Sequence, residues 1–179
     1  GNVNVEAKAV TENTSVGDVA GVSSGGSSIN GNGDSLAAGG ALVTNTVLSE
    51  ALAEIVDSTV TSGGTVTVNA ENSALLDAKL SNAMSAGADA VGVTVAFNTL
   101  GYAPTNLLFQ AIDALIGTDI GPADSSNATA RILDSTIQGT ATADADVAVT
   151  ANSNATLISQ TDNNVTANAA AAFGASGAA

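Results

Sequence analysis

The chain states one eight-residue phrase twice, and this repetition limits the fold more than any other feature. Ala53-Glu54-Ile55-Val56-Asp57-Ser58-Thr59-Val60 returns as Ala130-Arg131-Ile132-Leu133-Asp134-Ser135-Thr136-Ile137. Five of the eight positions are identical, and two of the others exchange one branched apolar residue for another. A second phrase follows each copy: Gly64-Thr65-Val66-Thr67-Val68-Asn69-Ala70 after the first, Ala145-Asp146-Val147-Ala148-Val149-Thr150-Ala151 after the second. A third version, Gly1-Asn2-Val3-Asn4-Val5-Glu6-Ala7, opens the chain. Self-similar phrases of this kind select repeat architectures, in which each unit buries its apolar face only against the next.

The phrases alternate apolar and polar residues, the period of a strand with one buried face. Val3, Val5, Ala7 and Ala9 share one face of the opening segment. Strand candidates follow at Ala41–Leu48, Ala53–Val60, Thr65–Ala70, Val91–Phe97 and Val147–Ala151. Residues 71–85 allow a helical reading through Ala74, Leu75, Ala78 and Leu80, but they align with 152–166, where Thr, Asn and Val dominate, and are read as strand. Residues 11–40 are Gly/Ser-rich and read as a protruding loop region, with turns at Ser23–Ser28 and Asn30–Asp34.

One stretch breaks the pattern. Leu107, Leu108, Ala111, Ile112, Leu115 and Ile116 form a one-sided stripe at helical spacing, Pro104 suits a first helical turn and Gly117 a C-terminal cap. The spacing predicts a short α-helix over 104–116 inside a helical insertion at 101–126, with its stripe packed on its own chain or used for assembly. Asn45 precedes Ala53 by 8 residues and Asn98 precedes Ala130 by 32, so the second unit carries 24 extra residues. An insertion that leaves the repeat intact is typical of solenoids.

Composition narrows the interior. Aromatic residues make up only 2% of a chain that is 45% hydrophobic, so its core must be built from Val, Ile, Leu and Ala. The expected fold class is all-β: a parallel β-helix (β-solenoid) in one domain spanning 1–179, with one inserted helix. A β-sandwich also supplies many short strands, but not phrases that return with variable insertions. At roughly 20 residues per coil, a common repeat length, the chain would hold about eight coils. With no initiating Met, and with Ala178-Ala179 suited to lead into another Gly39-Gly40-Ala41-Leu42-Val43, it reads as a piece of a longer array.

The 17 acidic residues outnumber Lys8, Lys79 and Arg131, for a formal net charge of −14. Nucleic-acid binding, which needs Lys and Arg against phosphate, and attraction to anionic membrane surfaces are therefore not expected. With no Cys and no His, disulfides, thiolate metal sites and Cys- or His-dependent triads are excluded. No apolar run approaches the roughly 20 residues of a membrane-spanning helix.

The repeated phrases, the Gly-x-Val-x-Val-x-Ala strands and the block Val95–Gly101 leading into Asn106–Gly117 resemble the strand-repeat regions of very large bacterial and cyanobacterial surface or secreted proteins, of the adhesin and autotransporter-passenger type. The resemblance covers most of residues 38–179. It implies a β-solenoid at the cell exterior and implies no enzyme activity. Repeat phrases that run to both ends point to copies of the chain as partners, and host or matrix glycans are the other partners considered.

Candidate chemistry is sparse. Asp34, Asp119, Asp124, Asp144 and Asp146 fall in Gly-rich or polar turns, where oxygen ligands could hold calcium, though ordinary turn formation explains them as well. No other cofactor is expected. Asn13, Asn127, Asn154 and Asn164 each begin an Asn-x-Ser/Thr triplet. Thr59-Val60-Thr61 and Thr65-Val66-Thr67 resemble the Thr-x-Thr pairs of ice-binding faces, but Thr is also a good strand former. The sequence is read as a structural fibre or adhesin segment. The alternative is a β-helix that binds or cleaves carbohydrate, which the single Tyr and the absence of Trp leave without a stacking platform.

Overall fold

A computed structural model describes residues 1–23, 35–101, 114, 125–167 and 172–178. All the described secondary-structure elements are strands, ten in order: β1 (Val3–Ser23), β2 (Leu36–Val47), β3 (Glu50–Val56), β4 (Thr59–Thr61), β5 (Thr65–Ala86), β6 (Asp89–Leu100), β7 (Asn127–Leu133), β8 (Thr136–Gln138), β9 (Asp146–Ala167) and β10 (Ala172–Ala178). The helix expected at 104–116, with Leu107, Leu108, Ala111, Ile112, Leu115 and Ile116, lies outside the described residues apart from Ala114.

The strands form four sheets, ordered β1-β5-β9, β10-β6-β2, β3-β7 and β4-β8. β10 runs parallel to β6, β7 to β3 and β8 to β4. The repeated phrase pairs with itself: Ala53 stands opposite Ala130, Ile55 opposite Ile132, Val56 opposite Leu133 and Val60 opposite Ile137. The three versions of the second phrase occur at the starts of β1, β5 and β9, which share one sheet.

These pairings revise the expected coil. Equivalent residues are 77 apart at Ser58 and Ser135 and 81 apart at Asn82 and Asn163, not about 20. The reason is strand length. β5 and β9 each run 22 residues without a Gly or Pro to turn them, so the chain holds fewer and larger repeats than eight. The stretch read as a loop over 11–40 is strand at both ends, since β1 continues to Ser23 and β2 begins at Leu36. The expected match of Ala178 to Ala37 is also displaced. Ala178 pairs with Ala96 while Ala90 pairs with Ala172, and the 53-residue step linking Asn45 to Asn98 puts Ala37 at Ala90 and Val43 at Ala96.

The chain divides into two compact units. Unit 1 comprises Gly1–Glu12, Val47–Leu75 and Leu100–Thr156. Its core is Ala51, Ala53 and Ile55 from β3 against Val66, Val68 and Ala70 from β5, with Val3 and Val5 of β1 and Ala128, Ala130 and Ile132 of β7 packed around it. Unit 2 comprises Asn13–Thr46, Leu76–Thr99 and Leu157–Ala179. There Ala37, Ala86 and Ala90 pack with Val165 and Ala167, and Ala78, Leu80 and Ala96 pack with Ala41 and Val43. The walls of unit 2 approach closely where Gly92 pairs with Gly174: a Cβ on Gly92 would lie 2.5 Å from Asn82 Nδ2 and 2.9 Å from Asn163 Oδ1. Small side chains permit this thin interior, as the lack of aromatics implied.

Candidate functional site: ladders and an uncovered wall

The interior is tied by polar ladders. In unit 2, Asn45 Nδ2 donates to Asn98 Oδ1 at 3.0 Å and to the Asp77 carbonyl at 3.1 Å, and Ser15 Oγ donates to Asn45 Oδ1. Asn98 Nδ2 in turn donates to the Ile158 carbonyl at 2.6 Å and to Ser159 Oγ at 2.9 Å. Asn82 Nδ2 donates to Asn163 Oδ1 at 2.9 Å, and Asn163 Nδ2 to the carbonyls of Gly92 and Ala175. In unit 1, Asn72 Nδ2 donates to the Ser49 and Asn127 carbonyls at 2.8 and 3.0 Å, while Asn72 Oδ1 accepts from Ser49 Oγ at 3.0 Å. A buried amide is costly unless its hydrogen bonds are met. Each of these bonds to other strands, and of their side-chain atoms Asn82 Oδ1 alone lacks a partner among the described residues. The amides therefore fix register, which the apolar alternation alone fixes only modulo two residues.

The repeated Asp-Ser-Thr is a corner. Asp57 and Asp134 both have φ 47°, the left-handed region that short polar side chains tolerate. Each following serine donates its hydroxyl two residues back, Ser58 to the Val56 carbonyl and Ser135 to the Leu133 carbonyl. Across the pair, the Ser58 amide donates to Ser135 Oγ and the Thr136 amide to the Ser58 carbonyl. Both aspartates belong to stacked turns.

The feature of unit 1 with most consequence is a wall left open. Val66 and Val68 on β5 are 0% exposed. The 81-residue step brings their equivalents on β9 to Val147 and Val149, which are 51% and 48% exposed. All of Asp146–Leu157 is exposed, whereas the rest of β9 alternates between half-buried and exposed. β7 shows the same openness: Ala128, Ala130 and Ile132 are half-buried, while their partners Ala51, Ala53 and Ile55 are buried. This end is visible only in the pairing order, so the sequence reading missed it.

The sequence-derived candidates are not gathered. Asp144, two residues before β9, and Asp146, its first residue, are exposed; Asp34, Asp119 and Asp124 lie outside the described residues. Among the described residues no three acidic side chains converge to hold a cation. The Thr-x-Thr pattern does not propagate: Thr59 pairs with Thr136 but Thr61 with Gln138, and Thr67 aligns with Ala148 by the 81-residue step. Two shallow concavities, of about 330 Å³ in unit 2 and about 290 Å³ in unit 1, have no aromatic lining residue on which a sugar could stack. No protein-family model, curated protein or solved structure matches the chain.

Proposed function

We propose that the chain is a structural β-solenoid segment of an extracellular or cell-surface fibre or adhesin, built by stacking of large coils and extended by end-to-end association of copies. The observation that carries this reading is the in-register pairing of the repeated phrase, Ala53 on Ala130 and Thr59 on Thr136, with like stacked on like. Ser49 on Ser126 and Asn82 on Asn163 extend the same rule to polar residues. A chain that returns to the same level at steps of 53 to 82 residues supports the reading of a coil.

The ends follow from the order. β1 and β9 are the outer strands of their sheet, and β2 and β10 the outer strands of theirs. Unpaired strand edges are templates for further pairing. The 63-residue step from β1 to β5 and the 81-residue step from β5 to β9 set Val3 of one copy against Val147 of another, and Val5 against Val149. The mechanism is mechanical: stacked rungs give a stiff element. Purified chain examined by electron cryomicroscopy and sedimentation should form elongated assemblies with an axial repeat of about 4.8 Å. A strictly monomeric species across the accessible concentration range would refute the self-association.

A further inference from the structure

We propose that unit 1 holds an acceptor groove for an extended peptide strand, formed by the free edge of β7 and the uncovered start of β9. The ligand would lie parallel to β7, present small apolar residues inward in the pattern Ala-x-Ala-x-Ile, and turn at an Asp-Ser-Thr corner.

Four observations specify this occupant. Among the described residues β7 pairs only with β3, so its other edge offers unpaired amide and carbonyl groups. The opposite wall is only half filled: Val66 and Val68 of β5 are buried with Ala51, Ala53 and Ile55 of β3 and have Ala128, Ala130 and Ile132 of β7 packed around them, while Val147 and Val149 of β9 are 51% and 48% exposed. The next place in the β3-β7 ladder is therefore the place that would bury them, which makes the groove continuous with an interface already formed. The corner adds selectivity. The Ser58 amide is held by Ser135 Oγ of the next strand, and a ligand serine at the same level would hold the Ser135 amide in the same way.

Charge selects between the two phrases the chain itself supplies. Arg131 Nη2 lies 2.7 Å from Glu54 Oε2 on the neighbouring strand. A ligand with the β3–β4 sequence, Glu50–Thr61, brings a glutamate to the level of Arg131, whereas one with the β7–β8 sequence brings an arginine. Opposite charges across a strand pair are favourable and like charges are not. The occupant is thus a strand of β3–β4 type.

The inference shares the stacking logic of the proposed function, but its test is separate. A fluorescent peptide of sequence Glu50–Thr61, with blocked ends, is titrated with the intact chain. Saturable one-to-one binding is expected, weakened at least threefold when the peptide's equivalent of Glu54 is changed to Arg. A peptide in which inward and outward residues are exchanged should not bind, because a one-residue shift turns every side chain to the other face. Val149→Asp in the chain should weaken binding at least tenfold, and circular dichroism checks that the variant keeps its strand content. Asp18→Ser, on β1 outside the groove, is the control that should leave binding unchanged. Equal binding of the exchanged peptide, no saturation, or indifference to Val149→Asp would overturn the groove. Assembly of the chain without peptide binding would also overturn it while leaving the stacking intact; peptide binding by a strictly monomeric chain would do the reverse.

Discussion

The starts of β5 and β9 carry one phrase in two environments. Val66 and Val68 are sealed between β1 and β9 within their sheet and covered by β3 from across the core. Val147 and Val149 have the same residue type at the same repeat position and are about half exposed. The difference cannot come from local sequence, since both segments are strands with the same alternation. It comes from position in the stack. Among the described strands β5 has a neighbour on each side and β9 has one. In a repeat protein, burial belongs to the array more than to the residue.

The largest effect that would break this comparison is expected at the buried amides. Asn72→Ala removes the side-chain bonds to the Ser49 and Asn127 carbonyls and to the Ser49 hydroxyl, while the Ser49 carbonyl keeps the Asn127 amide and the Ser49 hydroxyl keeps Ser126 Oγ. At about 1 kcal/mol for each hydrogen bond lost, the cost should be about 3 kcal/mol in urea unfolding. The 81-residue step makes Ser153 its counterpart on β9, a polar residue again but an exposed one. Ser153→Ala should fall within about 0.5 kcal/mol of the parent, as exposed substitutions generally do. A loss at Ser153 well above about 1 kcal/mol, the cost expected of a buried hydroxyl's lost hydrogen bond, would mean that the β9 wall is covered in solution.

The valines give a smaller version of the same contrast. Val68→Ala opens a cavity in a fully buried position and should cost about 2–3 kcal/mol. Val149→Ala, half exposed already, should cost less than about 1 kcal/mol. Repeating the Val149→Ala measurement with saturating Glu50–Thr61 peptide sharpens the result: its cost should rise toward that of Val68→Ala. An unchanged difference would mean that the peptide does not cover this wall.

How much of this was legible beforehand depends on which residues bore the message. The register of β3 on β7 could be read directly, because Ala53, Ile55 and Asp57 recur as Ala130, Ile132 and Asp134. The extra 24 residues of the second unit could be read too: the step of 53 between Asn45 and Asn98 becomes 77 between Ser58 and Ser135. Coil length could not. Asn72 and Asn82 are buried on the inward face of β5, and hydropathy rules would turn them outward. Their partners lie 23 to 81 residues away, so no local window shows what they bond to. β1 was cut short for a related reason. Beyond Ala9 its more buried face carries Thr11, Asn13 and Ser15 while Val10, Val16 and Val22 face solvent, so the usual polarity is reversed and the segment imitates a loop. Of the candidate sites, the Asp-Ser-Thr corner was legible as a turn, whereas the open wall exists only once the strand order is known.

The corners should be insensitive to the open end, which tests whether the comparison concerns packing alone. Asp57 and Asp134 share φ 47° and the same serine bond, and they follow successive strands of one ladder, β3 and β7. Replacing either by Val puts a β-branched side chain in the left-handed region, at a cost of about 1–2 kcal/mol. Replacement by Asn, which tolerates that region, should be nearly neutral. The expected outcome in urea unfolding is two matched losses for Val and none for Asn. A loss confined to Asp57 would show that packing contributes at the corner as well.

The smallest effect is expected at the Glu54–Arg131 pair. Its side chains are 36% and 46% exposed, the nitrogen–oxygen distance is 2.7 Å, and the bond joins residues 77 apart across β3 and β7. An exposed ion pair of this kind contributes about 0.5 kcal/mol or less, because water and salt screen the attraction and two long side chains lose freedom to form it. Glu54→Gln should therefore lower stability slightly at low salt and not measurably at about 1 M NaCl, where the Debye length is about 3 Å. The same Arg131 gains importance when a strand is added at the β7 edge, since a second carboxylate then reaches it from the other side. In the Glu54→Gln chain the native peptide should bind at least as tightly as in the parent, because Arg131 is released from its first partner. Weaker binding in that variant would mean that Glu54 positions Arg131 for the added strand, making the pair an orienting contact within the ladder.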